Sequence, residues 1–336
     1  MPVRMKDIAE DLGVSLMTVS KALRNHHDVG EETRERVLRR AQELKYQPNL
    51  TARGLASRRS FLIGLVVPDM MHSFFAEIAK GAADILEPLG YQILIANSGE
   101  RADRELEQIR SFMGRGVDGL IVASAAVDGS GPLAEALGAS GVRCVLIDRP
   151  IAGLTANFVG VDNEEIGYLA TTHLIAQGCR RVAYIRGLAV STGTGRLSGY
   201  RRAIESHGLA APEGYVSCDQ DEDSAGYGAM RRLLELRPRP DGVFCYNDPV
   251  AAGAMKAILE AGLEIPRDIA VIGAGNVHYS DLFRVPLSTI DQSSGRIGQT
   301  AAGLLTEGMR TREPVAPRSV LFPPQLIVRT SSRRKG

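Results

Sequence analysis

The run Met5-Lys6-Asp7-Ile8-Ala9-Glu10-Asp11-Leu12-Gly13-Val14-Ser15-Leu16-Met17-Thr18-Val19-Ser20-Lys21-Ala22-Leu23 decides how the chain begins to fold. Ile8, Ala9 and Leu12 recur at the spacing of one helical face, and Gly13 breaks that helix where a tight turn belongs. Ser15 then offers its hydroxyl to the free amides of a second helix, whose apolar face is Val19, Ala22 and Leu23. Two short helices about a glycine turn form a helix-turn-helix. A third helix, predicted from Glu31 to Leu44, presents Val37, Leu38, Ala41 and Leu44 to cover the first two. Glu31, Glu32 and Glu35 lie near its positive N-terminus.

Working outward, Pro48 stops the helical run, and Asn49 to Ser57 forms a segment that Gly54 makes too weak to hold a helix alone. It is expected to fold only against something else. From Phe61 the pattern changes to apolar runs alternating with amphipathic helices. The strands are predicted at Leu62 to Val67, Tyr91 to Ala96, Gly119 to Ser124, Cys144 to Asp148, Phe158 to Val161, Arg181 to Ile185, Val216 to Cys218, Gly242 to Tyr246 and Ile269 to Gly273. Nearly continuous Val, Ile and Leu is the composition of strands buried on both faces, and helical crossovers imply parallel sheets. So many strands exceed one comfortable sheet, which predicts two doubly wound lobes with a ligand between them at the carboxyl ends of the strands.

Composition bounds the function. With 336 residues, 44% hydrophobic and 24% charged, the chain can bury a sizeable core, which excludes general disorder. No apolar run approaches the roughly 18 residues of a membrane span, and no signal peptide opens the sequence, so a cytoplasmic protein is expected. Cys144, Cys179, Cys218 and Cys245 form no paired C-x-x-C, and are read as reduced core residues with no metal and no cofactor. The net charge of +1 hides an asymmetry: residues 1–60 hold 12 Lys and Arg against 8 Asp and Glu. A basic head on a mildly acidic body points to a polyanionic partner.

The second helix has the composition of a DNA reader. Leu16 and Met17 occupy its first turn, where they can touch thymine methyls, and Lys21 one turn on can reach a guanine edge or a phosphate. Ser15, Thr18, Ser20 and Asn25 can donate to phosphates. The competing reading is a helical module that packs on the body or on another protein.

Met5-Lys6-Asp7-Ile8-Ala9, Gly13-Val14-Ser15 and Thr18-Val19-Ser20-Lys21-Ala22-Leu23 together resemble the headpiece of the LacI/GalR family of bacterial repressors. The resemblance extends through Tyr46-Gln47-Pro48-Asn49, Ala52-Arg53-Gly54-Leu55, Ile63-Gly64-Leu65-Val66-Val67-Pro68, Val117-Asp118-Gly119-Leu120-Ile121, Phe244-Cys245-Tyr246-Asn247-Asp248 and Pro324-Gln325-Leu326-Ile327-Val328-Arg329. It implies a helix-turn-helix headpiece, a hinge, and an α/β two-lobed core like that of periplasmic binding proteins. The expected limits are 1–47, 48–60 and 61–330, the core dividing at about 61–160 with 292–321 and 161–291 with 322–330. It also implies a homodimer on pseudo-palindromic double-stranded operator DNA. Lys6 and the second helix would touch the operator, joined by Asn49, Ala52 and Arg53 of the hinge, while Leu55 wedges the minor groove.

For the cleft, the resemblance points to Arg196 as the group that binds effector hydroxyls or carboxylates, with a surface salt bridge as the alternative. Asp148, Asn247 and Asp248 close strands facing the crevice, where Asp and Asn also cap turns. His72 and Phe74 fall in a loop that walls the pocket in relatives, although a solvent-facing histidine is equally compatible, and Asp221 and Gln292 match pocket positions. Gly273-Ala274-Gly275-Asn276 departs from the family at Gly275, where an acid usually grips sugar hydroxyls, leaving Asn276 to hydrogen-bond. A carbohydrate effector is still implied. The tail from Ser331 contains no leucine heptad, which predicts a dimer and no tetramer. An enzyme is not expected: Gly193-Thr194-Gly195-Arg196-Leu197-Ser198-Gly199 misses dinucleotide-binding spacing, and no nucleophile elbow or Walker loop appears. A free solute-binding protein shares the two-lobed body but has neither the basic head nor a reason to lack an export signal.

Overall fold

The computed structural model describes residues 3–23, 25–46, 59–126, 131–151, 153–187, 190–212, 214–218, 226–311 and 316–334. Two compact units result, Met1–Ser60 and Phe61–Gly336. In the first, α1 (Met5–Leu12), α2 (Leu16–Leu23) and α3 (Glu31–Glu43) enclose a small core of Ile8, Val19, Ala22, Val37 and Ala41. Gly13 ends α1 with φ 63°, the left-handed turn that only glycine enters cheaply. Ser15 Oγ accepts from Thr18 N–H at 3.0 Å, the N-cap its position predicted. Leu38, expected inside, is 46% exposed. One stripe of α3 suffices to cover two short helices, and Leu38 lies about 100° around from Val37.

In the second unit the chain runs through β1 (Leu62–Val67), α4 (Ser73–Leu86), β2 (Gln92–Asn97), α5 (Ala102–Gly114), β3 (Gly119–Val122), α6 (Pro132–Ser140), β4 (Arg143–Ile147) and β5 (Asn157–Val161). A second lobe follows with α7 (Asn163–Ala176), β6 (Val182–Ile185), α8 (Ser191–Ser206), β7 (Val216–Ser217), α9 (Tyr227–Glu235), β8 (Gly242–Cys245), α10 (Asp248–Glu260), β9 (Ala270–Ile272) and β10 (Thr289–Asp291). The chain returns to the first lobe through α11 (Ser294–Arg310) and β11 (Ser319–Phe322), then pairs β12 (Gln325–Ile327) antiparallel to β10.

The first sheet has the order β11-β5-β4-β3-β1-β2 and the second β7-β6-β8-β9, with all neighbours parallel. Each sheet is buried on both faces. Ile63 and Leu65 of β1 pack under Ile78 and Ile297, while Val66, next in the strand, packs with Ile109 and Phe112 on the other side. In the second lobe Val243 and Cys245 meet Met230 and Ile258, and Phe244 meets Tyr200 and Leu174. Each such aliphatic or aromatic side chain contributes about 1.5–3 kcal/mol on burial. That is why the strands read as unbroken apolar runs.

In each lobe one pair of helices meets through glycines. A Cβ at Gly298 of α11 would overlap the carbonyl oxygen of Ile78 in α4, and one at Gly199 of α8 would overlap that of Glu164 in α7. The run Gly193 to Gly199, which sequence spacing compares with a dinucleotide loop, is helical, and Gly195 and Gly199 serve close helix packing.

The strands β10, β11 and β12 are not anticipated by the sequence pattern. They are three or four residues long, and β11 lies between Pro317 and Pro323, so no periodicity accumulates. The second lobe also extends past residue 330. Ser331 and Ser332 are fully buried: Val271 N–H donates to Ser331 O at 2.8 Å, and Ser332 Oγ lies 2.7 Å from both Ser288 Oγ and His173 Nε2. Hydrogen bonds, not apolar patterning, hold this segment in place, so hydropathy gives no sign of it.

Candidate nucleic-acid interface and effector cleft

In the headpiece, the cap at Ser15 and the buried pair Val19 and Ala22 orient α2 so that its first turn faces outward. Leu16 and Met17 are 51% and 63% exposed, the largest apolar groups that α2 leaves in solvent. Thr18 Oγ1 lies 2.8 Å from Ser15 Oγ, Lys6 pairs with Glu10 at 3.4 Å, and Lys21 Nζ lies 2.9 Å from Asp28. Asn25 is exposed in the left-handed region with φ 54°, and Ser20 is half-buried on the same helix. Asn49, Ala52, Arg53, Leu55 and Asp221 lie outside the described residues.

The cleft is built around Arg196. Close packing of α8 on α7 carries this arginine inward, where it is 3% exposed. Its Nε donates to Asn163 Oδ1 at 3.0 Å, Nη1 to the Tyr246 carbonyl at 2.5 Å and Nη2 to Gln292 Oε1 at 2.9 Å. The guanidinium also sits 4.7 Å from the centre of the Tyr246 ring. That ring rests on Gly187, where a Cβ would collide with it, and its hydroxyl is 2.7 Å from Thr192 Oγ1. Arg196 is thus no surface salt bridge but the hub of a network joining β8, α7 and the crossover after β10. Asn163, Thr192 and Tyr246 escape the sequence reading. The only signal for Tyr246 is its place at the end of an apolar run beside Asn247.

Asn247 caps α10 by accepting from Val250 N–H at 2.9 Å, which turns its amide nitrogen toward His72, 3.1 Å away on the other lobe. His72 in turn caps α4, its Nδ1 accepting from Phe74 N–H at 3.2 Å. A neutral imidazole accepts at one ring nitrogen only, so the Phe74 N–H and the Asn247 amide compete for the lone pair of the ring. The Asn247 amide nitrogen and His72 Nε2 meet across the two lobes. Phe74 itself is buried in the first lobe, edge-on to His72 and Phe75.

Across from these, Asp148 closes β4 with φ 62° and is 5% exposed. Burial pushes its carboxyl up, and the neighbouring Arg149, 3.4 Å away, opposes that. Arg149 also forms a two-pronged pair with Glu100 at 2.6 and 2.8 Å. His72, Asp148, Arg196, Asn247 and Gln292 are therefore brought together, with Arg149 and Glu100 added by the structure.

Asp248 and Asn276 are not part of this group. Asp248 is fully buried, one oxygen accepting from Thr289 Oγ1 at 2.6 Å and the other from Val277 N–H at 2.9 Å. Asn276 Oδ1 accepts from Arg329 at 2.8 Å. Both anchor the loop after β9 through these contacts. Gly275 lies in the same loop with φ 135°, and a Cβ there would be 3.5 Å from an Asp248 oxygen. The missing acid is consistent with this geometry, since a carboxylate at 275 would need a strained backbone and would sit near another carboxylate.

Two buried groups set opposite pH dependences. Burial lowers His72 to about 4 from an ordinary 6.5, so the unfolded chain binds more protons between those values and stability is lost as pH falls through that window. Burial raises Asp248 from 3.8 to about 6, so its effect runs the other way, the fold gaining on acidification. We expect His72→Asn to remove the acid-side loss, up to about 3 kcal/mol between pH 6.5 and 4. Melting temperatures of both proteins across that range check it, and parallel curves would contradict the assignment.

Known proteins share the fold of this chain. The family description of bacterial regulatory proteins, lacI family, matches residues 4–49, and that of the periplasmic binding protein-like domain matches 171–332. Catabolite control protein A of Priestia megaterium is 31% identical over 335 residues, covering 99% of this chain and all of the relative. A transcriptional regulator CelR–cellobiose complex superposes with a TM-score of 0.72 at 30% identity, over 98% of this chain and 99% of that one. The lac repressor dimer bound to operator and the anti-inducer ONPF superposes with a TM-score of 0.84 at 26% identity, over 99% of each chain. The fold and these relatives define a DNA-binding transcriptional regulator with an effector-binding core. The chain belongs to the LacI family of bacterial regulators.

Proposed function

We propose that the effector is a small polyhydroxylated molecule of the carbohydrate class, held between His72 and Asn247 on one side and Asp148 and Arg196 on the other. The observation that carries this reading is the polar contact of His72 Nε2 with the Asn247 amide nitrogen, contributed by different lobes 3.1 Å apart. A ligand oxygen there can accept from the Asn247 amide, and the Asp148 carboxylate can accept a hydrogen bond from a second hydroxyl. Ser73 Oγ, next to His72 in the chain, is buried without a hydrogen-bond partner among the described residues, a further donor awaiting an acceptor. The cellobiose in the CelR structure supports the same class. Gln292 positions Arg196, and Asp221 is retained as a pocket residue on the family resemblance alone.

The operator side follows the same reading: a homodimer presents two headpieces to a pseudo-palindrome, Lys6, Ser15, Leu16, Met17, Thr18, Ser20, Lys21 and Asn25 touch it, and Asn49, Ala52, Arg53 and the Leu55 wedge act from the hinge at 48–60. The edge strand β2, with Ile95 45% exposed and unpaired on its outer side, supports a subunit interface. A thermal-shift panel of mono- and disaccharides, sugar phosphates, nucleosides and amino acids tests the effector class. A neutral sugar is expected to raise the melting temperature. A response confined to nucleosides or amino acids would overturn the reading.

A further inference from the structure

His26, His27 and Asp28, on the loop between α2 and α3, bring three ligand atoms within 4.8 Å of one another. From this we propose that the headpiece carries a divalent transition-metal site, suited to Zn2+ or Ni2+, formed by these three residues, and that metal binding there releases Lys21. Two imidazoles and a carboxylate are the borderline donors such ions prefer over Mg2+ or Ca2+. Tetrahedral bonds of about 2.0–2.1 Å place ligand atoms roughly 3.3 Å apart, within reach of small side-chain rotations, and leave a position for water.

The loop is already shaped for this. His27 Nε2 lies 2.8 Å and His26 Nδ1 3.4 Å from the Asp28 carboxylate, and the two imidazoles stack with centroids 4.5 Å apart. The backbone beneath them is pinned from both sides: His26 N–H donates to Lys21 O at 3.0 Å, and Arg34 Nη2 donates to the carbonyls of His26 and Val29 at 3.1 and 3.0 Å. Val29 is buried in the headpiece core. Donors held on a fixed backbone lose little freedom on binding an ion.

Asp28 is also the partner of Lys21, at 2.9 Å. A metal that takes up the Asp28 carboxylate removes the anion neutralising Lys21 and adds positive charge close to α2. Both changes favour DNA phosphates. This second step rests on the operator-binding reading above; the metal site does not.

Isothermal titration of the full-length protein with ZnCl2, and separately with NiCl2, tests the site. One ion per chain is expected, with affinity at least tenfold weaker in the His26→Asn, His27→Asn double variant, whose circular dichroism and melting temperature should match the parent. No binding, or equal binding by the double variant, overturns the site. For the coupling, a fluorescent random-sequence duplex is titrated at fixed ionic strength with and without ZnCl2. Zn2+ should tighten binding several-fold in the parent, whereas Asp28→Asn should bind tightly without metal and the double variant should ignore it. Metal binding without a change in DNA affinity overturns the release of Lys21 alone. Absence of any duplex binding, with or without metal, would instead count against the operator reading.

Discussion

Gly199→Ala is expected to destabilise the second lobe by about 3 kcal/mol or more. The added methyl would overlap the carbonyl oxygen of Glu164 and crowd the Tyr168 amide, both backbone atoms of α7 that no rotamer change can move. The helices must separate, loosening Ile166, Ala170, Tyr200 and Ile204, which pack between them and the sheet. At roughly 2–4 °C per kcal/mol for a unit of this size, the melting temperature should fall by several degrees. Gly303→Ala in α11 is the control, because no atom outside its own stretch of helix lies within 4 Å of its Cβ position, and a helix glycine with such room gains up to about 1 kcal/mol from alanine. Equal melting temperatures for Gly199→Ala and the parent would show that the crossing is looser than described.

Arg196→Met should abolish the response to effector while leaving operator binding intact. The side chain is almost fully buried, and its removal strips Asn163, Gln292 and the Tyr246 carbonyl of their donor. A lost charged hydrogen bond to a ligand is worth about 1.5–3 kcal/mol, roughly ten- to a hundredfold in affinity, and the collapse of the network adds to it. Arg196→Lys should rescue little, because an ammonium cannot reach three acceptors set in the plane of a guanidinium. The measurement is the thermal shift produced by the active compound of the effector panel, together with duplex binding in its absence. A variant that still responds at parental concentrations would place the pocket elsewhere.

Much of this was legible in the sequence, for physical reasons. Parallel strands buried on both faces announce themselves as apolar runs, and the capped, glycine-broken headpiece helices follow local rules at Gly13 and Ser15. Arg196 and His72 were legible because family resemblance placed them at the crevice, and Asn247 because it closes a strand run facing it. What escaped was decided by long-range geometry. Asp248 follows an apolar strand run as Asp148 does, yet it opens α10 and both its oxygens are taken by Thr289 and Val277, partners far away in the chain. Tyr246 looks like one more strand residue until Gly187 and Arg196 are seen on either side of its ring. The same holds for Gly199, whose purpose appears only once α7 is alongside.

The first sheet acquires β11 only after the chain has built the whole second lobe and come back. A nascent polypeptide emerging in order would therefore present β5 with one margin uncovered, and α4 without its mate α11, through most of synthesis. Neither half can be expected to mature as an autonomous piece: cutting the gene between the lobes should yield sticky, chaperone-dependent fragments, not two well-behaved modules.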